Sequence, residues 1–346
     1  MLFEDGPANK LVGIARLAAS SDVLEAKRQV EYLELETRRF IGRGSGRMSS
    51  IWTINPYRGC EYGCKYCYAR YAHEFMELRD PESFERKIYA KHFEPAAFRA
   101  EVRRLKLGAT VWIGTATDPY QPAERRYRIT RQILEVFAGE RGFDLGITTK
   151  SDLAAGDAAL MSRIARANKI RVHLTITTLD EGLARLLEPR APRPSLRLAA
   201  VKKLTDAGVP VSVLAHPVMP LINDSEDSLD RVCAAAARAG ASSFSAAPLF
   251  LKPCSYQVFL PFLEQRFPHL VRRYRERFDK AAYLKGAYPE MIAERVKLIR
   301  ARNGLHERRA PESPLPEPFD DQLTLFPSHT KGPNTAGTLQ RKVNRV

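Results

Sequence analysis

Residues Asn55–Arg70 read NPYRGCEYGCKYCYAR, and this segment carries the most specific signal in the chain. Cys60, Cys64 and Cys67 are spaced C-x3-C-x2-C, so a short loop can bring three thiolates round one metal centre. A glycine precedes each of the first two cysteines and permits the backbone turns that such a loop requires. The spacing predicts a metal site on this loop.

The three thiolates alone leave the identity of the metal open. A structural zinc ion requires a fourth ligand, and His73 would complete a Cys3His set. A [4Fe–4S] cluster on the same cysteines would keep one iron open for a substrate or cofactor. The remaining cysteines, Cys233 in an Ala-rich helical stretch and Cys254, are solitary, so the five cysteines do not form a disulfide framework.

The composition describes a basic globular protein. Of its 346 residues 44% are hydrophobic, and 55 Lys and Arg against 40 Asp and Glu give a net charge of +15. This excludes a chain disordered throughout and favours polyanionic partners, nucleic acid first among them. No run approaches the ~18 apolar residues that span a bilayer, and Met1–Lys10 carries acids where a signal peptide carries bases. We expect a cytoplasmic protein in a reducing compartment.

From Ala109 onward, short apolar or β-branched runs alternate with amphipathic helical ones. The predicted strands are Ser50–Asn55, Thr110–Gly114, Asp144–Thr148, Arg171–Thr177, Pro210–Ala215 and Ser242–Pro248. The predicted helices are Ile129–Glu140, Asp157–Arg166, Pro194–Ala207 and Ser225–Ala239, with Gly208 and Gly240 as left-handed caps. Six such units are too few for a closed eight-stranded barrel, so the pattern predicts an α/β fold, a partial (β/α)6 TIM-like barrel.

The chain divides into four predicted segments. These are an N-terminal flank at 1–49, with a helical stretch near Ser21–Leu35, the barrel at 50–251, a basic helical extension at 252–309 and a tail at 310–346. Residues Phe259–Arg309 hold 13 Lys and Arg against 6 Asp and Glu. The tail is rich in proline and acidic residues and is predicted to be disordered, because it cannot bury enough apolar surface.

Polar residues follow the predicted strands at the ends where active sites of α/β barrels gather. They are Thr115, Thr117, Asp118, Thr149, Lys150, Ser151, Thr178, Asp180 and His216. The same residue types also cap helices and form turns, so each position has a structural alternative.

The cysteine motif, with an aromatic residue before its third cysteine and a βα series after it, resembles that of the radical S-adenosylmethionine (radical SAM) superfamily. Together with TATDPYQPAER, TTKSDL, LEPRAPRPSLRLAAVKKLTDAG and VSVLAHPVMPLIND, it is similar to the spore photoproduct lyase-like group over about Ser50–Leu251. The resemblance implies a partial barrel, a [4Fe–4S] cluster, S-adenosyl-L-methionine and an external electron donor. It also implies reductive cleavage of the sulfonium C–S bond, after which a 5′-deoxyadenosyl radical abstracts a substrate hydrogen.

The resemblance assigns roles to individual residues. The three cysteines would ligate the cluster, and Lys150 would contact the carboxylate of the cofactor's methionine part. Tyr66 would pack near the adenine with Tyr68 beside it, and both are candidates either for relaying a hydrogen atom or for shielding the cluster. Weaker candidates for hydrogen bonds to the ribose or amino group are Thr115, Thr117, Ser151 and Thr177.

One feature of the group is missing. The lyase has a hydrogen-donor cysteine in the strand-end segment that reads GTATD at Gly114–Asp118 in this chain. Cys254, after the last predicted strand, is the substitute candidate, with an incidental buried thiol as the alternative. Glu188 and Arg190 either pair structurally or reach the site.

A second motif lies in the tail. Gln322–Phe326 reads QLTLF and resembles the peptide by which bacterial replication and repair proteins bind the DNA sliding clamp. In that resemblance Leu325 and Phe326 would enter an apolar pocket and Gln322 would bond at its rim, with Leu323 as the fourth matching position. The alternative is a segment that folds back onto its own barrel.

The sequence therefore predicts a radical SAM enzyme that acts on nucleic acid, with repair of a DNA lesion as the reaction. Basic candidates for phosphate contacts are the helices of Phe259–Arg309 and Arg125, Arg126, Arg128 and Arg131. A base would have to leave the duplex to reach a site inside a barrel. The alternatives are a radical SAM enzyme acting on RNA, a peptide or a small metabolite, and a non-catalytic Cys3His zinc module that binds nucleic acid.

Overall fold

The structure is a computed structural model that describes residues 12–21, 23–27, 30–44 and 49–305. The strands are β1 Val23–Lys27, β2 Val30–Leu35, β3 Ile41–Arg43, β4 Trp52–Ile54, β5 Tyr57–Arg58, β6 Lys87–Lys91, β7 Thr110–Ile113, β8 Asp144–Thr149, β9 Lys169–Thr175, β10 Val211–Val218 and β11 Ser243–Pro248. The helices are α1 Gly13–Ala19, α2 Tyr71–Glu74, α3 Ser83–Arg86, α4 Pro95–Val102, α5 Glu124–Tyr127, α6 Ile129–Phe137, α7 Ala158–Ile164, α8 Glu181–Leu187, α9 Pro194–Asp206, α10 Glu226–Arg238, α11 Pro253–Arg266, α12 Val271–Phe278 and α13 Ala287–Arg302.

The centre of the fold is an open seven-stranded sheet in the order β11-β10-β9-β8-β7-β4-β3. Every neighbouring pair from β4 to β11 is parallel, and only β3 at the edge is antiparallel. The six parallel strands are the six that the sequence predicts, and α6, α7, α9 and α10 are the four predicted helices. The predicted α/β fold with a parallel, partially closed sheet is confirmed, and β3 is an addition to it.

Local signals explain where these helices stop and start. Ser225 caps α10, since its side chain accepts from the backbone N–H of Ser228. Gly208 and Gly240 both have φ near +80° and end α9 and α10 in the left-handed conformation, as predicted.

The two faces of the parallel strands differ in chemistry. Buried apolar residues such as Val111, Ile147, Val172 and Val213 pack in the main hydrophobic core. The alternate residues face a cavity inside the barrel, and they include Trp112, Thr148, His173, Ser212, Leu214 and Ser245. Because side chains of a strand alternate between its faces, short sequences such as VSVL build an apolar outside and a partly polar inside.

The predicted helix near Ser21–Leu35 is wrong. Residues Val23–Lys27 and Val30–Leu35 form an antiparallel pair of strands, and the only helix described before them is Gly13–Ala19. The second of these strands also pairs in parallel with Lys87–Lys91, in a four-stranded sheet ordered β1-β2-β6-β5. This long-range pairing outweighs the weak helical periodicity of the segment.

The basic C-terminal region is helical, as predicted, and its helices pack in two places. Ile292, Val296 and Ile299 of α13 join the main core of the barrel. Helices α11 and α12 instead contribute to a second hydrophobic cluster that contains Cys60, Cys64 and Tyr66. The predicted tail at 310–346, including the clamp-like motif, lies outside the described residues. Within the described part of the chain, no helix is long and apolar enough to cross a membrane.

Candidate active site

The three cysteines of the motif line one cavity of about 130 Å³, called here the cysteine cavity. All three are free thiols. The turn before Cys60 depends on Gly59, which has φ +80° and leaves no room for a side chain. A Cβ there would lie 2.6 Å from the carbonyl oxygen of Lys87 and 2.8 Å from that of Phe84. The backbone of the loop at Gly59 therefore packs directly against the backbone of Phe84 and Lys87, and only glycine fits this close approach.

Gln121 holds the loop from the side of the barrel. Its fully buried amide accepts from the N–H of Glu61 at 3.0 Å and donates to the carbonyl of Gly59 at 3.0 Å. Thr117 donates to the same Gly59 carbonyl at 2.6 Å, and Gln121 donates to the Thr117 hydroxyl at 3.0 Å. Gln121 is not among the residues predicted from the sequence, although it lies in the strand-end segment that follows β7.

Two arginines support the loop from its other side. Arg70 forms a buried ion pair with Glu85 at 2.5 Å and donates to the carbonyl of Cys64 at 3.3 Å. Arg190 donates to the carbonyls of Glu61 and Glu85, each at 3.4 Å. Arg190 was predicted either to pair structurally or to reach the site, and these contacts with the loop backbone support a structural role.

The proposed fourth zinc ligand lies elsewhere. His73 bonds the carbonyl of Lys87 through Nε2 at 3.1 Å and borders a separate small cavity, not the cysteine cavity. Across residues 12–21, 23–27, 30–44 and 49–305, no three His, Cys, Asp or Glu side chains are gathered for a single metal ion. A [4Fe–4S] cluster presents a different iron to each cysteine, so three thiols around one cavity fit it.

A second, larger cavity of about 510 Å³ fills the inside of the barrel and is called here the interior cavity. It meets the cysteine cavity along a shared wall. The residues that line both are Tyr68, Gly114, Thr115, Thr148, Lys150 and Thr175. A cofactor bound to a metal on the cysteines would therefore extend directly into the barrel.

Within the described part of the chain, Lys150 is the one cation on this shared wall. Asp118 accepts from the backbone N–H of Lys150 at 2.7 Å and from the hydroxyl of Thr149 at 2.6 Å, which fixes the end of β8. The Lys150 ammonium lies 5.6 Å from the centre of the Tyr66 ring. Burial lowers the pKa of Lys150, but the charges of Cys64 and Glu188 outweigh it and raise that pKa above its ordinary value. Lys150 is thus charged and faces both cavities.

Tyr66 is fixed by a buried network behind the cavities. Its hydroxyl donates to the carboxylate of Glu188, which also accepts from Thr177 at 2.6 Å and pairs with Arg197 at 2.5 Å. Burial alone would raise the pKa of Glu188, but the charges of Arg197 and Lys150 and hydrogen bonds from Thr177 and Tyr66 lower it to about 2. The carboxylate is therefore ionised, and it orients the phenol.

Tyr68 lines both cavities, and its hydroxyl donates to the carbonyl of Thr115. Cys254 lies behind it, with Sγ 3.6 Å from the backbone carbonyl of Tyr68. The thiol borders the small cavity beside His73 and lines neither the cysteine cavity nor the interior cavity. Of these two hydrogen-donor candidates, only Tyr68 faces the space where a substrate would be.

Of the four weaker candidates for cofactor contacts, two line a cavity and two do not. Thr115 and Thr117 line the cysteine cavity. Thr177 is turned toward Glu188, and Ser151 caps the 3-10 turn at Asp152–Asp157, so neither lines the two cavities. The structure thus brings together the cysteines, the two tyrosines, Lys150 and two of the four threonine and serine candidates.

Of the polar and aromatic walls of the interior cavity, His216 was predicted from the sequence as a strand-end residue, whereas Trp112, His173 and Ser245 were not. The rings of Trp112 and His173 stack at 5.1 Å, and His216 bonds the Ser245 hydroxyl through Nε2 at 3.2 Å. Burial lowers the pKa of both histidines to about 4, so both imidazoles are neutral at physiological pH. The alternation of Trp, His and Ser on the inner face of neighbouring strands is the signal that locates this cavity.

Comparison with known proteins agrees with this geometry. A family model described as the radical SAM superfamily matches residues 54–232. An uncharacterized protein from Mycobacterium tuberculosis is 34% identical over 278 residues, which covers 80% of this chain and 82% of the relative. An uncharacterized protein from Methanocaldococcus jannaschii is 29% identical over 175 residues, covering 51% of this chain and 63% of the relative.

Solved structures show the likeness of the fold. A variant of spore photoproduct lyase with a dinucleoside spore photoproduct has a TM-score of 0.57 at 15% identity, covering 78% of this chain and 79% of its own. Another variant of the lyase, with bound AdoMet as well as the dinucleoside, has a TM-score of 0.53 at 17% identity. The match covers 68% of this chain and 66% of the lyase chain. The chain belongs to the radical SAM superfamily, whose members use a [4Fe–4S] cluster and S-adenosylmethionine.

Proposed function

We propose that this radical SAM protein acts on nucleic acid and that its reaction repairs a base lesion in DNA. The observation that carries the proposal is the shared wall between the cysteine cavity and the interior cavity. A cofactor at the first cavity and a substrate in the second would be in contact across Lys150 and Thr115. The cytoplasm, as a reducing compartment, suits three free thiols on one loop.

The residues at this wall have distinct tasks. Cys60, Cys64 and Cys67 would hold the cluster, and the Lys150 ammonium suits a carboxylate of the cofactor. When bound, the cluster and S-adenosylmethionine supply a 5′-deoxyadenosyl radical for hydrogen abstraction. The chain's own share is to orient these groups, to hold Tyr66 through Glu188 and to exclude water from the barrel.

The chemistry of the interior cavity supports an uncharged, flat substrate group. Its walls carry hydroxyls, two neutral imidazoles and the Trp112 indole, and Lys150 is the one charged group that the described residues contribute. About 510 Å³ is within the range of a small-molecule site and far too small for a duplex. A base would therefore enter singly, stack on aromatic side chains and form hydrogen bonds to hydroxyls, as flipped bases do.

The basic character of the chain supports a nucleic acid rather than a free metabolite. A net charge of +15 favours association with a polyanion. The structural neighbours that contain a dinucleoside spore photoproduct are lyases of such a lesion. Gly114–Asp118 contains no cysteine that could donate a hydrogen atom. We propose Tyr68 as the donor, because its side chain lines both cavities.

The test is anaerobic reconstitution with iron and sulfide, followed by dithionite and S-adenosylmethionine. We expect a brown protein with about four irons and four sulfides per chain, a content that the Cys60→Ala, Cys64→Ala, Cys67→Ala triple variant loses. Release of 5′-deoxyadenosine should be stimulated by ultraviolet-irradiated DNA more than by the same DNA unirradiated. Stimulation by RNA, peptide or metabolite pools instead would contradict the DNA substrate, and a colourless protein with one zinc would contradict the enzyme.

A further inference from the structure

A third cavity, of about 330 Å³, borders the cysteine loop at Tyr62 and is called here the arginine cleft. Four arginines line it, and among the described residues Asp152 is the one carboxylate in its lining. The four are Arg125, Arg185, Arg190 and Arg193. Such an excess of positive charge in a concave surface attracts and retains an anionic partner.

Among the residues that the structure describes, the positive charge of the cleft is largely uncompensated. Arg185 donates to the carbonyl of Pro189 at 2.6 Å, and Arg190 donates to two carbonyls of the cysteine loop. A carbonyl neutralises no charge. Arg193 has an exposed carboxylate, that of Glu181, at 3.8 Å, which is a weak pairing in water.

The position of the cleft relates it to the cluster rather than to the substrate. Tyr62 lines both the arginine cleft and the cysteine cavity, and it lies two residues from Cys60 and two from Cys64. The backbone N–H of Arg190 donates to the carbonyl of Tyr62 at 3.3 Å. No residue between 49 and 305, or in the described segments before them, lines both the arginine cleft and the interior cavity. A partner in the cleft would therefore contact the back of the cysteine loop.

Apolar residues also line the cleft. Leu153, Pro122 and Pro192 line it, together with Leu196, which is 48% exposed. Apolar residues surrounded by charges are typical of a surface that binds a folded protein. A nucleic acid with one base in the interior cavity would contact the residues around that cavity and not the arginine cleft. The apolar residues and the four arginines of the cleft together favour an acidic protein as its partner over a phosphate backbone.

We propose that the arginine cleft is the docking site of the external electron donor, an acidic one-electron carrier protein of the flavoprotein or iron–sulfur class. This inference rests on the proposed function, since only a cluster on the cysteines requires a reductant. The transfer moves one electron from the reduced carrier to the cluster and forms or breaks no bond. Docking of this kind is weak, transient and steered by charge.

The test compares two double variants with the same change in net charge. Arg185→Glu with Arg193→Glu reverses two charges in the cleft, and Arg163→Glu with Arg166→Glu reverses two exposed charges at the end of α7. A flavodoxin serves as the acidic carrier. Its affinity for each protein, before reconstitution, is measured by calorimetry at low and high salt. After reconstitution, the bleaching of cluster absorbance is followed with reduced flavodoxin and, separately, with dithionite.

We expect the cleft variant to bind flavodoxin about tenfold more weakly at low salt and to be reduced by it more slowly. High salt should abolish the difference, because it screens the charges. Reduction by dithionite and affinity for DNA should be the same in both variants. Equal flavodoxin binding by the wild type and both variants would overturn the inference, as would a selective loss of DNA affinity in the cleft variant. If dithionite reduces the cluster but no 5′-deoxyadenosine forms, the proposed function fails and the docking result is unaffected.

Discussion

The hydroxyl of Tyr66 donates a hydrogen bond to the carboxylate of Glu188, although the two residues are 122 positions apart in the chain. Glu188 and its ion-pair partner Arg197 are each 1% exposed, so the pair is buried. Through this contact and the ion pair of Glu188 with Arg197, the cysteine loop is attached to α9. The orientation of the aromatic residue before Cys67 therefore depends on a buried charge.

Removing that charge should destabilise the protein. In Glu188→Gln the guanidinium of Arg197 stays buried without its counterion, and breaking a buried pair in this way costs about 3–5 kcal/mol. We expect a loss of this size in the free energy of unfolding, measured by urea denaturation before reconstitution. Glu226→Gln, which breaks the exposed pair with Arg302, is the control and should cost less than about 1 kcal/mol.

A second substitution separates the charge from the packing. Arg197→Met combined with Glu188→Gln removes both charges and should recover a substantial part of the lost stability. If Glu188→Gln alone unfolds no more easily than the control, the pair does not hold the loop to α9.

The two glycines of the motif should respond differently to alanine. At Gly59 a Cβ would meet two backbone carbonyl oxygens within 2.8 Å, and backbone cannot move aside cheaply. At Gly63 the nearest atom to a Cβ is a Glu85 carboxylate oxygen at 3.8 Å, so the cost is mainly that of φ +63°, about 1–2 kcal/mol. We therefore expect Gly59→Ala to lose most of its iron and sulfide after identical reconstitution, and Gly63→Ala to keep most of both. Equal metal content in the two variants would contradict this account of the loop.

The features that could be predicted from the sequence are those set by residues close together in the chain. The spacing of the cysteines and the alternation of apolar runs with helices predict the metal loop and all six parallel strands, because both patterns are set within a few residues. Gln121 and the contact of Glu188 with Tyr66 depend on residues about 60 and 122 positions apart, and no local pattern reports them. The pairing of Val30–Leu35 with Lys87–Lys91 was missed for the same reason.

Glu124 should make stability depend on pH. It is buried and accepts from the Tyr57 hydroxyl at 2.5 Å and from the N–H groups of Thr130 and Arg131, each at 3.0 Å. Burial raises the pKa of Glu124 to about 7 in spite of these hydrogen bonds. In the unfolded chain its pKa returns to roughly 4.3, so between these values the folded protein binds more protons than the unfolded one.

The sign of the effect follows from that difference. The stability that protonated Glu124 contributes is fully present below about pH 4.3 and is lost as the pH rises through about 7, by up to about 3 kcal/mol. Urea denaturation at pH 5 and pH 8 should show that the wild type loses stability relative to Glu124→Gln over this interval, since the buried neutral histidines His173 and His216 affect both proteins alike. Glu135→Gln, on the exposed side of α6, should keep the pH dependence of the wild type. Identical pH dependence in all three proteins would contradict the assignment.

The two hydrogen-donor candidates are separated by a pair of conservative substitutions. Cys254 lines neither cavity, so Cys254→Ser should leave unchanged the amount of repaired base formed from irradiated DNA. Tyr68→Phe removes the hydroxyl hydrogen that would be donated to the product radical, so it should lower the amount of repaired base for each 5′-deoxyadenosine formed, with iron content unaltered. The opposite ranking of the two variants would return the donor role to Cys254.

Lys150 should contribute more to cofactor affinity than any other single side chain on the shared wall. Of the residues that the structure describes, it is the one cation that lines both cavities, and Asp118 fixes its backbone. A hydrogen bond to a charged group contributes about 1.5–3 kcal/mol, so Lys150→Met should weaken S-adenosylmethionine binding by roughly 10- to 150-fold. Equilibrium dialysis with the reconstituted protein measures this directly. Lys202→Met, on the exposed face of α9, is the matched control and should bind as the wild type does. Because the cluster itself does not require Lys150, the iron and sulfide content of both variants should stay the same; a loss of iron in Lys150→Met would mean that the residue supports the loop and not the cofactor.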